Sequence, residues 1–126
     1  MPTSFDEVIF MKGAMPKLSI LSAESFAEEV KGRKLDDARI SVSYLVSSGS
    51  NRTAIKSWYV ILTAYDPKAK AVLEYERMIG YDLLVFEDVQ KDLLEKAKTA
   101  SEELRKKLAD SGVNVKLFDA AVTDRT

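Results

Sequence analysis

The apolar positions change period along the chain. Over 38–46 they alternate: Ile40, Val42, Tyr44 and Val46 fall on one side, and Ser41, Ser43 and Leu45 on the other. That period of two predicts a half-buried strand. Residues 55–65 predict a second strand, rich in β-branched and aromatic side chains, and residues 71–79 a third. Ser47, Ser48, Gly49, Ser50 and Asn51 make the first connection a loop, and Asp66-Pro67-Lys68 makes the second a tight turn. The three segments read as an antiparallel meander.

Helical spacing appears on either side of it. Ser22 is a helix N-cap, Glu24 suits the positive end of the helix dipole, and Phe26, Ala27 and Val30 share one face before Gly32. The later segment is longer. Val89, Leu93, Ala97, Ala100, Leu104 and Leu108 recur at steps of three and four, which predicts an amphipathic helix packed on the sheet. Its outer face sets Glu87, Asp92, Glu102 and Glu103 each four residues before a Lys. Gly112 ends this helix in the left-handed position, with Val113 folding back as its apolar partner. Short apolar runs at 7–11 and 18–21 predict two early strands. Val113, Val115 and Leu117 predict a last one, and 123–126 read as a frayed tail.

The expected order is β-β-α-β-β-β-α-β in a single domain spanning 1–126. This is an α+β fold, an antiparallel sheet with two helices on one face. With Pro67 and Lys68 as a two-residue tip, Leu62 opposes Leu73, Val60 opposes Tyr75 and Trp58 opposes Arg77. The helix side then holds Trp58, Val60, Leu62, Ala71, Leu73 and Tyr75. The opposite face holds Tyr59, Ile61, Thr63, Tyr65, Val72, Glu74 and Glu76, beside Ser41, Ser43 and Leu45. Aromatic, aliphatic and acidic side chains mixed in this way suit a contact with a second copy or a ligand. The competing reading is a half-wet face, or one covered by the N-terminal segment.

Composition narrows the chemistry. The 126 residues contain neither Cys nor His. That removes disulfides, thiol nucleophiles, thiolate zinc sites and the commonest general base. Nineteen Lys+Arg against 20 Asp+Glu leave a net charge of −1, without the excess of a polyanion-binding protein. The N-terminal region lacks the charge order of a signal peptide, and the longest uncharged run, 40–51, is far below the roughly 20 residues of a membrane span. A cytoplasmic protein with no membrane or nucleic-acid partner is the expectation.

Oxygen ligands remain for a hard cation. Glu74 and Glu76 project from one side of a strand about 7 Å apart, and are weak metal candidates. The order α-β-β-β-α-β over 22–117 is that of the restriction-endonuclease-like core. However, the second strand has its only acid, Asp66, in the turn, and the third reads Glu74-Tyr75-Glu76 without the Lys such a site uses. The 47–53 loop lacks the spacing of a phosphate-binding loop, and its Asn51-Arg52-Thr53 sequon has meaning only in a secreted chain. Lys31, Arg33 and Lys34 complement a helix C-terminus. The sequence therefore predicts a non-catalytic domain without cofactor or catalytic residues. It would act by homodimerisation and by binding a protein or small molecule. The alternative is a carboxylate-metal-dependent nucleic-acid-processing or hydrolytic enzyme.

Overall fold

The computed structural model describes residues 16–48, 53–117 and 123–124. Its elements are β1 (Lys17–Ser19), α1 (Ala23–Gly32), β2 (Ala38–Ser48), β3 (Ala54–Asp66), β4 (Ala71–Leu83), α2 (Glu87–Asp110), β5 (Val115–Leu117) and β6 (Thr123–Asp124). The strand predicted at 7–11 lies outside the described residues, as does the tip of the loop at 49–52. Thr123 and Asp124, expected to fray, form the short β6.

The α+β class holds, but the sheet is mixed rather than antiparallel. Its order is β1-β4-β3-β2-β5, with β6 also on β2. The two hairpin pairings, β2–β3 and β3–β4, are antiparallel. The pairings β1–β4, β2–β5 and β2–β6 are parallel. The cause is the crossover. A helix laid across a sheet returns the chain to the end from which it left, so the strands before and after it run the same way. Each helix here joins two strands in that manner. Alternation within a strand carries no record of pairing direction, so the sequence pattern did not show it.

Local chemistry sets the boundaries. The Ser22 hydroxyl accepts the Ser25 amide at 3.0 Å and starts α1. At the end of α2, Gly112 has φ +86° and Val113 donates its amide to the Leu108 carbonyl at 2.9 Å. This is the Schellman closure read from Gly112, and Val113 is buried by it. The β3–β4 turn is longer than the two residues expected. Asp66 pairs with Ala71, leaving a four-residue loop over 67–70. The Asp66 carboxylate accepts the amides of Lys68 at 2.9 Å and Ala69 at 3.2 Å, and Lys70 takes a left-handed φ of 51°. The register therefore shifts by two residues as far as Tyr59, with Leu62 opposite Tyr75 and Val60 opposite Arg77, and by three at Trp58, which opposes Gly80 instead of Arg77 because of a bulge. A slip of two preserves the faces where a slip of one would exchange them.

Both helices pack on one face. Phe26, Ala27 and Val30 of α1 join Leu104 and Leu108 of α2 over Ile40, Val60, Leu62 and Leu73. A second cluster gathers Leu93 and Ala97 against Val42 and Trp58. The buried stripe of α2 differs from the predicted one in part. Gln90 and Ser101 are buried, while Val89 is exposed and Ala100 is only partly covered. Gln90 is inside because it is tied there. Its side-chain carbonyl accepts the Trp58 indole N–H at 2.7 Å, and its amide donates to the carbonyls of Asp82 and Leu83 at 3.1 Å each.

The basic residues at the end of α1 work as ties. Lys31 donates to the Ser111 carbonyl at 2.8 Å, so the C-terminal ends of the two helices are joined. Arg33 bridges Glu29 at 2.7 Å and Asp66 at 2.8 Å. The Arg33 hydrogen bond, with the amides of Ala69 and Lys68, holds the Asp66 carboxyl below its usual range. A carboxyl whose pKa is depressed on folding contributes stability above its unfolded pKa, and that contribution disappears as pH falls through the folded value. Asp66→Asn is therefore expected to lower the urea midpoint at pH 7 and to flatten its decline on acidification below about pH 4. A variant whose acid profile parallels that of the wild type would show that the Arg33–Asp66 contact is not linked to folding.

Candidate functional site

The seven residues predicted for the second face come together. Cross-strand pairing sets Tyr65 beside Val72, Thr63 beside Glu74, and Ile61 beside Glu76, with Tyr59 next to Ser43 of β2. Residues opposed across a ladder share a face, so these side chains form one continuous surface. Its centre is not open. Ile61 is 3% exposed and Val72 4% in the single chain, and Glu74 is buried with them. Tyr59, Thr63 and Tyr65 are half-buried, and Glu76 is exposed.

The two acids differ in surroundings. Lys17 on β1 approaches Glu74 at 3.1 Å, because the parallel β1–β4 pairing sets Lys17 beside Val72 and Ser19 beside Glu74. Glu76, two residues on, is at the solvent boundary. Among the described residues no group of three or more acids or other ligand side chains is placed to hold a metal. Asp66, the one acid of β3, is engaged with Arg33 at the far turn.

The exposed apolar side chains are elsewhere. Strand β4 runs four residues beyond the predicted end, through Gly80 to Leu83, and among the described residues only the three-residue β1 pairs with its outer side. β1 covers that edge only along Val72–Glu74, with Ile20 adding one more hydrogen bond to the Glu74 carbonyl. Beyond this, Met78 is 50% exposed and Tyr81 64%. The turn that follows presents Leu84, Val85 and Phe86, and α2 begins with exposed Val89. At the other end of the same edge Leu18 and Leu21 are exposed. These eight are the large apolar side chains left in solvent among the described residues, and they all flank the β1–β4 edge or the turn that closes it.

Gly80 explains why the strand can continue under the helix. A Cβ placed there would lie 2.7 Å from Leu93 Cδ2, so the missing side chain lets β4 pass close beneath α2. The apolar run at 83–86 is a sequence signal for this surface, but periodicity in so short a run does not tell a strand end from the approach to a helix. Among the described residues no helix is long and apolar enough to cross a membrane.

In comparisons with protein-family models, with curated proteins and with solved structures, the chain matches none.

Proposed function

We propose that the chain is a non-catalytic domain that works by self-association, binding a second copy of itself and through the assembled surface a protein or small-molecule partner. The observation that supports this is that the exposed apolar side chains flank the β1–β4 side of the sheet and the turn that follows β4, with Met78 and Tyr81 on one face. Single apolar residues scattered over a surface are ordinary, whereas a contiguous set is characteristic of contacts. An edge strand adds a directional element, because its outward peptide groups are open to pairing with another strand. The Tyr59–Thr63–Tyr65 side of the sheet then serves as the rim where a further ligand would be met.

Size-exclusion chromatography with light scattering tests the reading on the full chain. A species of twice the 14.1 kDa chain mass at micromolar concentration is expected. A monomer up to about 100 μM, a concentration at which even weak specific dimers form, would refute it.

A further inference from the structure

We infer that two copies of this chain join through β4, edge to edge and antiparallel, around a two-fold axis between Ile79 and Gly80. The inference rests on the self-association reading above and gives it a register. Val72 donates its amide outward to the Pro16 carbonyl, and the Glu74 carbonyl accepts outward from Ile20. Peptide groups alternate along a strand, so Met78 also points outward. The ladder with β3 then breaks its step: Tyr59 opposes Met78 but Trp58 opposes Gly80, leaving Ile79 as one extra residue. Past that bulge the alternation is offset by one, and Tyr81 becomes the outward residue.

This offset makes the edge self-complementary. In an antiparallel pair centred between Ile79 and Gly80, Met78 meets the partner's Tyr81, and both present outward peptide groups. Arg77 meets the partner's Asp82, a cation against an acid, and two-fold symmetry makes each contact twice. Without the extra residue, each pair would set side chains from opposite faces of the sheet against one another. Arg77 and Asp82 both stand on the helix side, since they oppose Val60 and Lys56 of β3. Met78 and Tyr81 both stand on the other side, opposite Tyr59 and Ser57. Directly opposed residues of a pair without hydrogen bonds bring their side chains closest, which favours the Arg77–Asp82 contact.

The ends agree as well. Continuing the alignment sets Leu84 opposite the partner's Tyr75, just past the Ser19–Glu74 pair at which the partner's β1 ends, so exposed Leu84 meets exposed Leu21. A bulge and charges on an edge can also act to prevent pairing, and the test separates that role from this one.

The chain has no cysteine, so introduced thiols report one contact. Arg77→Cys protein mixed with Asp82→Cys protein under mild oxidation should give a disulfide-linked dimer in greater yield than either variant alone. Arg77→Asp should raise the dimer dissociation constant about tenfold, and adding Asp82→Arg on the same chain should restore it. If the wild type is dimeric but the mixed disulfide fails to form and the charge variants change nothing, the contact lies elsewhere. The register is then wrong while self-association stands. If the wild type is a monomer by light scattering, both fall, and the charged, bulged edge is a guard against pairing. Circular dichroism of each variant checks that the fold survives, as expected for an exposed Arg77 and a half-buried Asp82.

Discussion

Trp58→Ala lowers the free energy of unfolding by about 3–5 kcal/mol, the range for removing a large aromatic from a packed site. Trp58 is buried at the centre of the second cluster, between Val42, Leu93 and Ala97. Tyr44 lies against it with ring centroids 5.3 Å apart, and the Lys56 ammonium sits 4.7 Å from its ring. Its indole N–H also serves Gln90. Trp58→Phe separates the contributions. It keeps most of the apolar area but leaves a buried amide carbonyl without its donor, at a cost of about 1–3 kcal/mol. Urea unfolding of both variants measures the difference. A Phe variant as stable as the wild type would mean that the Trp58–Gln90 hydrogen bond contributes nothing net.

Leu104→Ala should cost about 2–5 kcal/mol, because Leu104 is enclosed between α1 and the sheet. Val89→Ala, at the exposed start of the same helix, should stay within about 0.5 kcal/mol. Equal losses at the two positions in chemical denaturation would contradict the packing seen for α2. The pair is instructive because both residues belong to the one stripe that helical spacing predicts.

Spacing located that stripe correctly in its middle. Leu93, Ala97, Leu104 and Leu108 all face the sheet. It failed at Gln90 and Ser101, where a polar residue is drawn inside by a partner or by its own backbone. Gln90 is held by Trp58, which is distant in sequence, and the Ser101 hydroxyl donates to the Lys98 carbonyl at 2.7 Å. No periodicity can report a partner contributed by another element. The same reasoning explains the charges. Lys107, four residues after Glu103, bonds Glu24 on α1 instead. The Asp92–Lys96 pair forms as the spacing predicts, at 3.2 Å.

The two faces of the meander are legible because β2 and β3 keep their alternation from end to end and β4 keeps it up to the bulge at Ile79. The pairing of strands and their partners at the edges was not. Tyr59, Ile61, Thr63 and Tyr65 share a face as alternation requires, but nothing in that pattern reports that Ile61 is covered within one chain. Likewise the part of β4 that no described strand pairs depends on how far β1 reaches, and β1 ends at Ser19. The residues of greatest interest on that edge, Met78 and Tyr81, lie three apart in sequence. They share a side of the sheet only because Ile79 is an extra residue in the ladder.

The mixed order of the sheet also sets a sequence of assembly. The hairpins of β2, β3 and β4 close over short loops, whereas Lys17 reaches Val72 only after α1, β2 and β3 have intervened. Closing the longer span costs more chain entropy and returns three residues of pairing. The central meander is therefore the frame on which both helices settle. β1 and β5 are laid on at opposite margins once the helices are in place, and they are the first parts to peel away when the molecule is stressed.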